Sequence, residues 1–290
     1  MLKKDLNYLK NILKIYGGDY MFGAIIGDTV GSLYEFLGSI DFEIDLFSKD
    51  SLCTDDTVMT FAVAEILENN KWKDKDYIID TFKKYGRAYP YCSYGDRFAN
   101  WVSSKNREPY NSYGNGSAMR VSPCGWYGNS FEEVKEMAIA VTEVTHNHPE
   151  GIKGAIVTAE CIYYARIGKN KEFIREYIED NYNIDFDYSE LKKTFPDSPI
   201  ICQYTVPVAL YCFLISNSFE DCLRKTIALG GDTDTAAAIS CSVAEAYYKE
   251  LPRNLLSHCL MKLQVKNSCD IIKLINAHTN QLIENNVSLK

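Results

Sequence analysis

The sequence has no apolar run long enough to cross a membrane. The longest, Met21 to Ile26, falls far short of the roughly 20 residues a spanning helix needs. It has no excess of basic charge either. The 31 Lys and Arg against 39 Asp and Glu give a formal net charge of −8, which disfavours nucleic-acid binding through counterion release. No secretory leader is expected. Met1-Leu2-Lys3-Lys4 starts basic, but Asp5, Asn7 and Lys10 interrupt any apolar segment. The expectation is therefore a cytoplasmic protein without a membrane partner. None of the 10 cysteines forms a C-x-x-C pair, and most sit singly inside apolar runs. They read as buried thiols in a reducing compartment rather than a zinc or disulfide framework. Strand signals are few, and the alternating βαβ pattern is missing. So are a Gly-x-Ser-x-Gly elbow, a phosphate-binding Walker loop and a catalytic-cysteine signature. Repeats, low-complexity linkers and an internal domain boundary are also missing.

What is present is helix. At 290 residues, 46% hydrophobic and 24% charged, the chain has enough apolar surface to fold. Apolar residues recur at helical spacing over Asp5–Tyr16, Met21–Leu37, Thr57–Glu68, Tyr77–Tyr85, Phe131–Val144, Gly151–Ile167 and Lys171–Asp180. The pattern continues over Pro207–Ser216, Phe219–Leu229, Thr235–Lys249, Leu255–Leu263 and Ile271–Glu284. The fold class is all-α. Segments 38–53, 87–126 and 181–202 read as irregular, and loops of that length are usually functional. Within Met21–Leu37, Gly23, Gly27 and Gly31 recur every four residues. Glycine costs about 1 kcal/mol in a helix, so the spacing suggests close helix packing or close ligand approach.

Two acidic clusters stand at helix starts: Thr54-Asp55-Asp56-Thr57 and Asp232-Thr233-Asp234-Thr235, the second preceded by Gly230-Gly231. Either one alone reads as an N-cap. One cap needs one acceptor, however, and each cluster offers several. Asp and Thr oxygens are what Mg2+, Mn2+ or Ca2+ takes, and carboxylates brought together need cations. A tension remains, because a helix N-terminus repels a cation. In the glycine helix, Asp28 and Glu35 either face solvent or, for Glu35, stand beside the acidic site. Asn111 to Arg120 carries alternate glycines that let backbone N–H groups approach a ligand. Tyr110 or Tyr113 offers a ring to stack there, and Gly95 repeats the theme. His146 and His148 form a His-x-His pair without an evident third soft ligand. Such pairs more often cap a helix or line a polar site than bind zinc. Hydrolysis by a metal-held water suits this inventory.

Together these strings resemble the ADP-ribosylglycohydrolase family, the all-α Mg2+-dependent hydrolases that include the dinitrogenase-reductase-activating glycohydrolase and the eukaryotic ADP-ribosylhydrolases. The resemblance rests on GAIIGDTVGSLYEF, TDDTVMTFAVAEIL, SYGNGSAMR, THNHPEGIKGA and LGGDTDTAAAIS, in that order, over about Met21 to Tyr248. It implies a compact single-domain helical fold over 21–290 with a binuclear Mg2+ or Mn2+ site; residues 1–20 lie outside the family pattern and read as an extra N-terminal helix. Thr54, Asp55 and Asp56 match one half of the family's metal site, and Asp232, Asp234 and Thr235 match the other. Glu35 matches a glutamate that gates substrate at the metals. Gly95, Ser112, Tyr113, Gly114 and Asn115 match loops that hold diphosphate, ribose and adenine, and His146 matches a ribose-pocket residue. Arg107 stands where some relatives carry an adenine-stacking aromatic. The activity implied is release of ADP-ribose from an acceptor, a protein side chain foremost, with Asp55, Asp56 and Glu35 as catalytic candidates. A modified nucleic acid enters only as a substrate. The alternatives are a Mg2+-dependent nucleotide or phosphoester hydrolase, or a non-catalytic ADP-ribose binder on the same scaffold.

Overall fold

The computed structural model describes residues 22–265. Its helices are α1 (Phe22–Gly31), α2 (Asp55–Glu68), α3 (Lys75–Ala88), α4 (Asp96–Ser103), α5 (Ser122–Tyr127), α6 (Phe131–Glu143) and α7 (Pro149–Arg166). They continue as α8 (Lys171–Glu179), α9 (Tyr188–Thr194), α10 (Cys202–Leu214), α11 (Phe219–Ile227), α12 (Thr233–Tyr248) and α13 (Arg253–Val265). Short 3-10 turns lie at Asn115–Ser117 and Phe195–Asp197. No strand forms among the described residues. Two isolated bridges join Leu37 to Gly231 and Gly114 to Ile201. The all-α reading holds. The helices read over 5–16 and 271–284, and the division at residue 20, lie outside the described residues.

α12 is the axis of the fold. From Thr233 to Ala246 every residue is buried, so the helix presents no solvent face, as a central core helix must. α7, α10 and α11 pack around it, and α1 lies along it. The glycine spacing in α1 resolves as close packing. A Cβ on Gly23 would stand 2.3 Å from Cys241 O, one on Gly27 2.2 Å from Ala237 O, and one on Gly31 2.6 Å from the Asp234 Cα. Only glycine lets the two backbones approach this closely. The buried Glu245 carboxylate of α12 then accepts from Gly23 N at 2.8 Å and Phe22 N at 3.2 Å, satisfying two otherwise orphaned donors of α1.

Three expectations need correcting. The glycine helix stops at Gly31, not Leu37. A turn follows, with Tyr34 N donating to Gly31 O, and Phe36 N then donates to Gly231 O at 2.6 Å, so a distant loop captures the chain. α10 begins at Cys202, and Pro207 lies inside it. Burial of Cys202, Thr205 and Val206 on one helical face outweighs the hydrogen bond that proline forfeits. The segments read as irregular contain α4, α5 and α9, whose six to eight residues are too short to show a period.

Candidate metal centre and its cavity

The N-termini of α2 and α12 meet beside α1. Gly230 and Gly231 turn the chain from α11 into Asp232 with φ of 78° and 74°, values that L side chains rarely adopt. Carboxylate oxygens of Asp28, Asp56 and Asp234 lie within 4.8 Å of one another, and so do those of Glu35, Asp232 and Asp234. Asp234 belongs to both groups. Hydroxyls join them: Thr235 Oγ donates to Asp56 Oδ2 at 3.3 Å. Thr54 Oγ lies 2.8 Å from Asp28 Oδ1 and 3.3 Å from Asp56 Oδ2. Asn115 Nδ2 donates to Asp232 Oδ2 and to Thr205 Oγ.

Crowding and burial raise every carboxyl in the cluster. Burial, then Asp234, lifts Glu35 to about 7. The same two causes lift Asp28 to about 7, against hydrogen bonds from Thr57 and Thr54. Asp55, Asp56 and Asp232 are pushed well up, by burial first and Asp234 second. Asp234 is raised by burial. Asp56 Oδ1 is buried without a hydrogen-bond partner. Oxygen donors packed this way are proton-bound or cation-bound, and a divalent cation fits the set. Capping accounts for little of it. Thr54 accepts from Asp56 N at a long 3.4 Å, and Asp232 starts α12 without a side-chain cap.

The cluster forms the floor of a cavity of about 380 Å³. Of the residues singled out from sequence, Glu35, Asp55, Asp56, Asp232, Asp234, Thr235, Gly95, Ser112, Gly114, Asn115 and His146 line it. Thr54 sits behind the wall, bound to Asp28. Tyr113 is not a lining residue; it is 42% exposed and packs on the His148 ring, centroids 4.9 Å apart. Tyr110 lines the cavity instead, its ring 5.7 Å from that of His146. Arg107 is outside, paired with Asp76 and Asp80 of α3. His148 caps α7 by accepting from Glu150 N, while His146 lines the cavity, so the His-x-His pair divides between the two expected roles.

Asp28 was missed as a site residue, because one acid in a glycine-packed helix looks like a solvated position. It is fully buried. Its carboxylate accepts from Thr54 N and Oγ and from Thr57 N at 2.8–3.2 Å, and from Thr57 Oγ. Arg97 and Arg120 also line the cavity. A signal for Arg120 existed: a lone arginine in the run Ala118-Met119-Arg120-Val121.

A family model described as ADP-ribosylglycohydrolase matches residues 14–282. ADP-ribosylhydrolase ARH3 of Mus musculus is 26% identical over 315 aligned positions, covering 82% of this chain and 85% of that protein. ADP-ribosyl-[dinitrogen reductase] glycohydrolase of Rhodospirillum rubrum is 24% identical, covering 83% and 89%. A solved structure described as an ADP-ribosylglycohydrolase-related protein complex superposes with a TM-score of 0.63 at 21% identity, over 84% of this chain and 95% of that one. Five ordered motifs, their convergence on one acidic cavity and a match over most of the chain place this protein in the ADP-ribosylglycohydrolase family.

Proposed function

We propose that the chain hydrolyses the glycosidic bond between ADP-ribose and an acceptor, a protein side chain, and releases ADP-ribose with the help of two Mg2+ ions. The observation that carries this reading is the meeting of two helix starts, 176 residues apart (232 − 56) in sequence, in one cluster of carboxylates at the floor of a nucleotide-sized cavity. The family match and the names of its relatives supply the substrate class.

Thr54, Asp55, Asp56, Asp232, Asp234 and Thr235 would hold the ions, and the same donors accept Mn2+. When bound, such ions polarise oxygen ligands and lower the pKa of a coordinated water. Departure of the acceptor from C1 of the distal ribose builds oxocarbenium character. Glu35 and Asp55 stand at the cavity wall where a carboxylate stabilises that charge. Asp55 is the less buried acid of its pair; it takes the proton of the attacking water, and the departing acceptor ends with one proton, so the products are ADP-ribose and the free, protonated acceptor. Asn115, tied to Asp232 and Thr205, fixes the floor. Ser112, Gly114 and Gly95 present small surfaces to the diphosphate and sugars, and Tyr110 is the ring inside the cavity that can face a base.

The test incubates the full chain with arginine-linked and serine-linked ADP-ribosylated proteins, with Mg2+ or with chelator, and detects free ADP-ribose by mass spectrometry. Release with Mg2+ only, from one linkage, is the expected outcome and names the acceptor. Failure to release ADP-ribose from either linkage, with ADP-ribose itself bound, refutes the hydrolase reading for protein acceptors.

A further inference from the structure

Among the described residues, Arg120 is the largest side chain that is completely buried. Its guanidinium lies over the Phe82 ring, 4.5 Å from the centroid. Its Nη2 donates to Val141 O at 3.1 Å and to Thr145 Oγ at 2.8 Å. An arginine carries donors only, so Thr145 Oγ must accept here. The Thr145 hydroxyl keeps one proton of its own. Two acceptors lie within hydrogen-bond distance, His146 Nδ1 at 2.8 Å and Thr142 O at 3.4 Å, and the Tyr110 hydroxyl also adjoins the Thr145 side chain. The nearer is the ring nitrogen. An oxygen that accepts from a cation is also polarised into a better donor.

We propose that Thr145, polarised by Arg120, is a positioning residue that locks His146 in its Nε2–H tautomer and makes it a fixed, neutral donor to an oxygen of the bound ADP-ribosyl group. With Nδ1 occupied as an acceptor, the ring's own proton must sit on Nε2. That nitrogen faces the glycine loop of the cavity. A Cβ on Gly116 would stand 3.4 Å from it and one on Gly114 3.8 Å, and both glycines line the cavity. The absent side chains leave Nε2 open to a ligand. Burial, with the Arg120 and Arg97 cations, pushes the imidazole well below its ordinary range, so the ring is uncharged at neutral pH. His146 is thereby a donor and not a base at Nε2. The ligand named rests on the proposed function; the tautomer does not.

The experiment uses the full chain with Mg2+ and 15N-labelled histidine. There are four histidines, and the His146 signals are those lost in His146→Gln. NMR of the free protein reports which ring nitrogen carries the proton. The expected result is Nε2–H in the wild type and in Thr145→Ser. In the near-isosteric Thr145→Val the fixed tautomer is lost. Calorimetry then gives ADP-ribose affinity roughly five- to tenfold weaker in Thr145→Val, the worth of one neutral hydrogen bond, and close to wild type in Thr145→Ser. An Nδ1–H wild type overturns the proposal, as does a Thr145→Val protein with wild-type tautomer and affinity. An Nε2–H wild type that binds no ADP-ribose supports the relay and refutes the substrate reading instead.

Discussion

Gly27→Ala sets two known effects against each other. Alanine favours a helix over glycine by about 1 kcal/mol, so in open surroundings the substitution would stabilise α1. Here the new Cβ would stand 2.2 Å from Ala237 O, 2.3 Å from Ala237 C and 2.6 Å from Ala238 N. Ordinary contact begins near 3.4 Å, so α1 must retreat from α12 by about 1.2 Å (3.4 − 2.2). All three obstacles are backbone, so no side chain can turn aside. Overpacking costs about 1–3 kcal/mol, and this geometry belongs at or above the top of that range. The net effect is a loss of about 2 kcal/mol, or a melting temperature lower by about 4–8 °C. Asp28 follows Gly27, so the retreat also draws its carboxylate away from Thr54 and Thr57. Thermal unfolding by circular dichroism reads the stability, and Mn2+ titration calorimetry reads the site. An unchanged or raised melting temperature refutes the packing argument, because propensity would then have won.

Mg2+ at about 100 times its Kd should stabilise the wild type by roughly 2.7 kcal/mol, and Asp234→Asn should lose most of that shift, since Asp234 serves both carboxylate groups. A full Mg2+ shift in Asp234→Asn sinks the shared-ligand assignment. Asp28→Asn sets an amide donor against the donors of Thr54 and Thr57, costing about 1–3 kcal/mol and weakening Mn2+ binding in calorimetry; wild-type values for both would show that Asp28 does not brace the loop. Burial raises the Glu160 carboxyl from 4.5 to about 7, against a hydrogen bond from Tyr177. Between those pH values the native state keeps a proton that the unfolded chain has released, so this group lowers stability as pH rises through that window. Glu160→Gln should therefore raise the melting temperature more at pH 8 than at pH 4, and an equal change at both would contradict the assignment.

The helices with a long apolar period were legible in the sequence, because burial of one face repeats the same residue types every three or four positions. What escaped was decided at long range. α1 stops at Gly31 because Gly231 captures Phe36, and no local pattern encodes that contact. α10 starts ahead of its proline because neighbours bury Cys202 and Val206. The acidic clusters were legible as clusters, and their excess over what capping needs pointed to a cation site. Their completion by Asp28 was not, since its role depends on α1 crossing α2. The choice between Tyr110 and Tyr113 was open for the same reason: both lie in one loop, and only its fold turns Tyr110 inward and Tyr113 out.

The tension between cations and two helix N-termini is resolved by how the first turn of α2 uses its donors. Each terminus carries about half a positive charge, which on its own would oppose cation binding. Thr54 N and Thr57 N both donate to the Asp28 carboxylate, and Asp56 N donates to Thr54 Oγ. A negative group delivered from α1 thus offsets the dipole. On α12, Thr235 N donates to Asp234 Oδ1 at 2.8 Å, a local version of the same device. The consequence is a division of labour. Both oxygens of Asp28 are already engaged by threonine donors, whereas Asp56 Oδ1 has no partner at all. Asp28 is therefore suited to hold the loop, and Asp56 to meet the ion. The glycine stripe of α1 makes this possible, because only its close approach to α12 carries Asp28 into the gap between the two helix starts.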